Sequence, residues 1–169
     1  MIGHAALRLE QRVMVRVGEV RVATAGVTLV ALGLGSCVAI VLYDPQAKVA
    51  GLAHVLLPDP SAARHGGAPG RFATTAVPHL IQAMQEHGAA RERMYGRLVG
   101  GANMFPQLTA SGGGTLGMRN VAAARAALRM AGIALRGEDV GGEHGRSVYV
   151  HAADGRILVR SVRHADVTL

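Results

Sequence analysis

The sequence predicts an α+β fold with a mixed sheet or two sheets and with helices on the outside. Short segments rich in valine, leucine and isoleucine recur along the chain and are bounded by glycine, proline or aspartate, which is typical of strands. Only two segments carry the apolar spacing of a helix. A chain of 169 residues is long enough to bury one core, so we expect a single domain over 1–169 with a flexible lead-in over 1–12.

The first half of the chain predicts strands that lead to and from a glycine-rich turn. Val20 and Val22 alternate with charged residues in the strand predicted over 13–23. Further strands are predicted over 27–32, 37–43 and 49–56. The last two form a hairpin across a turn at Asp44-Pro45. If that hairpin is centred on its turn, Cys37 lies opposite about residue 54.

The second half predicts a loop over 61–70, two helices and further strands. The first helix begins near Thr75, accepts Pro78 in its first turn and ends at Gly88. Asn120 is predicted to cap the second helix, which ends at Gly132. The remaining strands are predicted over 95–99, 133–135, 147–151 and 156–162.

The composition excludes several classes of protein. A single cysteine excludes an intrachain disulfide and a cysteine-based zinc site, and it fits a reducing compartment, so we expect the cytoplasm. The uncharged run over 22–43 is long enough to span a bilayer. Its valines and glycines instead favour two buried strands joined by a turn, so we expect no membrane insertion.

The strong positive charge raises the question of nucleic-acid binding. The net charge is +7, but its basic residues, nearly all arginine, are dispersed along the chain. Only five aromatic Tyr and Phe side chains are available to stack on bases. We therefore expect no nucleic-acid partner. A basic surface equally suits an acidic protein partner.

The most informative feature is Cys37, which follows a glycine-rich turn, together with His54 in the next apolar segment. A lone cysteine is commonly a small buried hydrophobe, and a lone histidine is commonly a satisfied core residue. Together they form a possible thiolate nucleophile and base, in which the histidine lowers the pKa of the thiol. Backbone N–H groups around Gly35 and Ser36 are candidates for holding an oxyanion.

Five short motifs resemble those of the CheD family, the chemoreceptor glutamine deamidases of bacterial chemotaxis. They are Leu-Gly-Ser-Cys-Val over 34–38, His-x-x-Leu-Pro over 54–58, Gly-Gly-Ala-Asn-Met over 100–104, Arg-Asn-Val over 119–121, and Asp-Val-Gly-Gly over 139–142 with Gly-Arg-Ser over 145–147. The spacing between Cys37 and His54 also agrees with that of the family.

The resemblance implies a layered α/β/β arrangement, similar to the catalytic domain of the cytotoxic necrotizing factor toxins. It also implies a cysteine amidohydrolase that converts glutamine to glutamate on methyl-accepting chemotaxis receptors, with no metal or organic cofactor. Family members can bind a CheC-type phosphatase. The alternative is therefore a weakly catalytic or non-catalytic adaptor that binds such a phosphatase, chemoreceptors or both.

The sequence leaves open which residue is the third catalytic group. The family usually has an active threonine six residues before the cysteine, and this position is Ala31 here. Ser36 is a possible substitute, although its hydroxyl is also suited to bonding the turn backbone. Asn103 is a second candidate for positioning the substrate, and a simple turn residue is an equal interpretation of it.

Overall fold

The segments predicted as strands form two five-stranded sheets in a computed structural model, which describes residues 10–108 and 112–169. Two α-helices and several short 3-10 turns complete these ranges. The strands are β1 Gln11–Met14, β2 Val20–Ala23, β3 Val27–Leu34, β4 Val38–Asp44, β5 Val49–Val55, β6 Tyr95–Gly100, β7 Ala134–Val140, β8 Arg146–His151, β9 Ile157–Arg160 and β10 Val167–Thr168. The helices are α1 Ala73–Gln85 and α2 Leu116–Met130.

The two sheets and the helices stack in three layers. The central sheet has the order β2-β5-β4-β6-β7 and the outer sheet the order β1-β3-β8-β9-β10. Each sheet is mixed, because β6–β7 and β1–β3 pair in parallel while the other neighbours are antiparallel. Both helices pack on one face of the central sheet, and the outer sheet covers its other face. This confirms the predicted α+β class.

Two apolar layers hold the sheets and helices together, and the alternation of side chains along the central strands builds both. Ile40 and Leu42 of β4 pack with the helices, whereas Ala39 and Val41 pack between the sheets. Strand β4 is buried along its whole length and β3 along most of it, which explains the long uncharged run over 22–43. No helix in the described ranges is both long and apolar enough to cross a membrane.

Several boundaries differ from the prediction. Residues 1–9 of the predicted lead-in lie outside the described ranges, and Gln11 and Arg12 belong to β1, where they pair with Val27 and Thr28. Strand β7 is longer than predicted because it pairs along its whole length with β6, at an exposed sheet edge that tolerates its charged residues. Its backbone pairing, rather than an apolar pattern, defines this strand.

The β4–β5 hairpin has a different register from the predicted one. Ala39, rather than Cys37, pairs with His54. The turn contains four residues, and the Asp44 side chain accepts hydrogen bonds from the N–H groups of Gln46 (3.0 Å) and Ala47 (3.1 Å). Pairing therefore begins between Asp44 and Val49, which moves every partner by two positions relative to the prediction.

Asp44 is a buried carboxylate that ties this turn to the rest of the molecule. It accepts hydrogen bonds from the Ala90 N–H (2.8 Å) and from the Arg93 guanidinium (3.0 Å), besides those of the turn. Burial by itself raises the pKa of this carboxyl, but the hydrogen bonds outweigh burial and lower the pKa to about 2. The stabilisation is therefore present above pH 3.8 and is lost as the pH falls through about 2.

We expect Asp44→Ala to lower the free energy of unfolding by about 3–5 kcal/mol, because it leaves buried N–H groups unpaired and removes the partner of Arg93. Urea denaturation at neutral pH measures the loss. Asp154→Ala is the matched control, since the Asp154–Arg156 pair is exposed and 3.8 Å long; we expect less than about 1 kcal/mol there. Equal losses in the two variants would contradict a structural role for Asp44.

Candidate active site

Cys37 lies at the end of the loop that joins the outer sheet to the central sheet, between β3 and β4. It is half-buried and packs against the apolar layer between the two sheets. Three successive carbonyls of this loop accept hydrogen bonds from neighbouring elements. Ala102 N–H donates to Gly35 O (2.8 Å), Gly101 N–H to Cys37 O (2.8 Å), and the Asn120 side chain to Ser36 O (2.9 Å).

These bonds also fix the direction of the N–H groups in the loop. In a trans peptide the C=O of one residue and the N–H of the next point in opposite directions. Since the Gly35 and Ser36 carbonyls point toward their donors, the N–H groups of Ser36 and Cys37 point away from them. The Cys37 N–H lies beside its own sulfur. This arrangement is suited to holding an oxyanion next to the thiol.

The glycine pair at 100–101 is required by close contact with the cysteine loop. Both glycines have positive φ, 110° and 67°. A Cβ atom on Gly100 would lie 2.3 Å from the Cys37 carbonyl oxygen, and one on Gly101 would lie 2.3 Å from Val121 of α2. Any side chain here would push the loop and the helix away from the cysteine. The Gly-Gly motif therefore brings β6, α2 and the cysteine loop together.

His54 is buried in β5, and its side chain faces the layer between the sheets, as do Leu52 and Ala50, which lie two and four residues before it. Its Nδ1 lies 3.1 Å from the carbonyl oxygen of Val15. A carbonyl oxygen only accepts, so Nδ1 must carry the proton and donate it. Nε2 is then the unprotonated nitrogen in the neutral ring, and it has no hydrogen-bond partner in residues 10–108 and 112–169.

Cys37 and His54 belong to the same face of the central sheet. Because Ala39 pairs with His54, Cys37 lies diagonally across from the histidine, two residues before Ala39 and directly ahead of β4. Diagonal positions of this kind are about 7–8 Å apart, within reach of longer side chains. The unpartnered Nε2 shows that no hydrogen bond joins it to the thiol in this resting geometry. Such contacts are commonly long in a free enzyme.

The ionisation states of Cys37 and His54 differ from those of the expected pair, a thiolate beside a histidine that lowers its pKa. Burial raises the pKa of the Cys37 thiol, and its own N–H only partly opposes this. Burial lowers the pKa of His54, and the hydrogen bond to Val15 partly opposes that shift. The expectation that His54 lowers the thiol pKa is therefore wrong for the resting site. At neutral pH it holds a neutral thiol and a neutral imidazole.

The other predicted candidates lie at different places around this pair. Ala31 is fully buried in β3 and faces the layer between the sheets, where it offers no polar group. Ser36 contributes its carbonyl to the Asn120 contact. Asn103 follows Ala102 next to the loop, and its N–H donates to Gly142 O (2.8 Å). No group of three or more His, Cys, Asp or Glu side chains is placed to hold a metal ion within the described ranges.

Asn120 is the site residue that the sequence interpretation missed. It was predicted to cap α2, but the helix begins one turn earlier, where the Thr115 hydroxyl accepts from the Met118 N–H (3.2 Å). Asn120 is thus fully buried inside the helix and donates to Ser36 O and Leu56 O, both at 2.9 Å. The sequence does contain a sign of this role: Asn120 occupies a helical position that faces the core, and such positions are usually apolar.

Comparisons with known proteins agree with the motifs around this site. A family model described as CheD chemotactic sensory transduction matches residues 56–161. A protein of Geobacter metallireducens named "Probable chemoreceptor glutamine deamidase CheD 2" is 44% identical over 89% of this chain and 94% of its own length. The "Chemoreceptor glutamine deamidase CheD" of Thermotoga maritima is 42% identical over 88% of this chain and 91% of its own length.

Among solved structures, YlmD from Geobacillus stearothermophilus is a weak match. Its TM-score is 0.45 at 17% identity, and the match covers 79% of this chain and 61% of that chain.

Proposed function

This chain belongs to the CheD family, and from that premise we propose that it is a deamidase that converts protein glutamine to glutamate through Cys37 and His54. The names of its relatives support the reaction, and those relatives match it over nearly their whole length. The observation that carries the mechanism is the hydrogen bond from His54 Nδ1 to Val15 O. It leaves Nε2 as the basic nitrogen on the face of the sheet that Cys37 also occupies.

The first step is attack of the Cys37 sulfur on the side-chain carboxamide of glutamine. His54 Nε2 takes the thiol proton as the sulfur bonds to the carbonyl carbon, so the thiolate forms only when substrate is present. Burial of both groups supports this order, because it disfavours a separated thiolate and imidazolium in the free enzyme. The Val15 carbonyl then stabilises the imidazolium by accepting from Nδ1.

The second step is collapse of the tetrahedral intermediate. The N–H groups of Ser36 and Cys37 hold the oxyanion while the carbon–nitrogen bond breaks. The imidazolium gives its proton to the departing nitrogen, which leaves as ammonia, and a thioester remains on Cys37. His54 next removes a proton from water, the water oxygen attacks the thioester, and glutamate leaves as the thiol is restored.

We infer that the backbone carbonyl of Val15 orients the His54 ring. Ala31 has no hydroxyl that could do so. The Val15 N–H donates to Val30 O (2.8 Å), so β3 holds the peptide chain that carries this residue. The position is thus fixed by the sheet and does not depend on a side-chain hydroxyl. No metal or organic cofactor enters the proposed chemistry, and a reduced thiol suits the cytoplasm.

The substrates that we propose are glutamines of methyl-accepting chemotaxis receptors, after the names of the relatives. Incubation with purified receptor cytoplasmic fragments, followed by peptide mass spectrometry, tests this directly. Each converted glutamine gains about one mass unit, since NH₂ becomes OH. Unchanged receptor peptides would instead favour the alternative that the chain is an adaptor for receptors or for a CheC-type phosphatase, and binding of these proteins would then be measured.

We expect Ala31→Thr to leave kcat/KM for receptor deamidation equal or raised by no more than several-fold, which corresponds to about one hydrogen bond of roughly 1 kcal/mol. Val15 O already fills the orienting role, so the added hydroxyl has little to contribute. Val30→Thr is the matched control, because it places a hydroxyl on the opposite face of the same strand. A gain of a hundredfold or more in Ala31→Thr would show that Val15 does not replace the missing hydroxyl.

A further inference from the structure

We propose that Asn120 is a positioning residue, which fixes the direction of the Cys37 N–H and ties the cysteine loop to the end of the histidine strand. This inference rests on the proposed function, because it assigns Asn120 a part in the Cys37 reaction. It is drawn from one buried side chain whose two hydrogen bonds reach the two halves of the site.

The orientation of the Asn120 amide follows from its partners. Its Nδ2 lies 2.9 Å from Ser36 O and 2.9 Å from Leu56 O, and both atoms are carbonyl oxygens that only accept. The NH₂ end must therefore face them, and its two protons are both used. The Oδ1 atom is buried and has no hydrogen-bond partner in the part of the chain that the structure describes. The side chain is thus placed to donate to these two carbonyls, although this leaves its own Oδ1 unpaired within the described residues.

The hydrogen bond to Ser36 O controls the direction of the Cys37 N–H, one of the two groups that hold the oxyanion in the proposed mechanism. The Ser36 carbonyl and the Cys37 N–H belong to one planar peptide unit, so holding the oxygen also sets the direction of the N–H. Without the Asn120 donor this unit can rotate, and the N–H then no longer points to where the oxyanion develops. The Gly35 and Cys37 carbonyls have their own donors and do not replace this bond.

The hydrogen bond to Leu56 O holds the end of β5, the strand that carries His54. Leu56 directly follows β5 and is two residues after His54. Its N–H and that of Leu57 both donate to Arg71 O, at 3.0 and 3.1 Å, so this strand end is already anchored on one side. Asn120 adds the connection from this anchored end to the cysteine loop. The β4–β5 pairing ends at Val38 and Val55, and beyond this pair Asn120 links the Ser36 carbonyl to the Leu56 carbonyl through one side chain.

Helix α2 is held close enough for this role. A Cβ atom on Gly117 would lie 2.4 Å from the Gly101 carbonyl oxygen, so the helix touches the loop that donates to Cys37 O. The Thr115 cap fixes where the helix begins. Asn120 is therefore presented by a supported element, as is required of a group that must hold others within a fraction of an ångström.

The test compares Asn120→Leu with the native protein and with Leu128→Ala. Leucine has the same branched arrangement of side-chain heavy atoms as asparagine, although it is somewhat bulkier, and it removes both donors. We expect kcat for receptor deamidation to fall by about 10²-fold in Asn120→Leu, with a change in KM of no more than about threefold, because a misplaced catalytic group lowers the chemical step. Leu128 is buried two turns further along α2 in the helix-facing core, so its truncation loosens the same helix without touching the site. We expect its folded fraction to keep native kcat.

Asn120→Ala is smaller than asparagine, introduces no charge and also removes both NH₂ donors, so it serves if the leucine variant does not fold. We expect kcat to fall at least about tenfold in this variant, because the Ser36 carbonyl loses its donor. A kcat within threefold of native in a folded Asn120 variant, or an equal kcat loss in Leu128→Ala, would overturn the inference. Activity in Cys37→Ala would instead overturn the proposed function, so the two failures are distinguishable.

Discussion

Cys37→Ala is expected to lower the rate of receptor glutamine conversion by about 10⁴-fold or more, as loss of a nucleophile does in enzymes that form an acyl intermediate. No other thiol exists in the chain to take over the reaction. Alanine leaves the loop intact, because the hydrogen bonds at 35–37 are made by backbone carbonyls. The fold should therefore persist while the chemistry stops.

Peptide mass spectrometry of receptor fragments measures this loss, with native protein and Cys37→Ala incubated in parallel. Thermal unfolding of both proteins controls for damage to the fold. Met118→Ala is a matched surface control, since Met118 is exposed in the first turn of α2 and has no part in the proposed chemistry. Undiminished conversion by Cys37→Ala would remove the cysteine mechanism and bring the adaptor alternative to the front.

His54→Gln is expected to lower kcat by about 10²–10⁴-fold, because the variant loses the group that moves the proton from thiol to leaving ammonia. Glutamine retains polar atoms and similar bulk in the buried site, so we expect the fold to be kept. His79→Gln is the matched control, since His79 is exposed on α1. Equal activity in His54→Gln and the native enzyme would exclude His54 as the base.

The pH profile of the native enzyme gives a further check on His54. Burial lowers its pKa below 6.5, so the imidazole stays neutral and basic into mildly acidic solution. The acid limb of kcat/KM should therefore fall below pH 6.5 and should be absent from the residual activity of His54→Gln. An acid limb above pH 6.5 that persists in the variant would assign the titration to another group.

Much of the fold could be predicted because the local patterns are strong. The uncharged run, the hairpin turn at Asp44-Pro45 and the apolar stripe of α1 each correspond to an observed element. The register of the hairpin could not be predicted, since it depends on how the Asp44 side chain bonds the turn. An offset of two residues keeps the same faces, so Cys37 and His54 still face the layer between the sheets.

The supporting groups of the site were less accessible to sequence reasoning. The partner of His54 Nδ1 is a backbone carbonyl of Val15, and no side-chain type marks such an acceptor. Asn120 carries a side-chain signal, but the same residue is also a good helix cap, and only the observed start of α2 at Thr115 separates the two roles. The raised thiol pKa depends on three-dimensional burial and has no sequence pattern.

The most direct measurement is the mass of the protein itself after rapid acid quenching during turnover of a glutamine-containing receptor peptide. A thioester mechanism predicts an adduct equal to the peptide less one ammonia, located on the tryptic peptide that contains Cys37, and its loss in Cys37→Ala. Its breakdown should slow in His54→Gln, because His54 activates the hydrolytic water. Conversion of the receptor peptide with no adduct on Cys37 at any quench time, or with an adduct on another residue, would contradict the central claim.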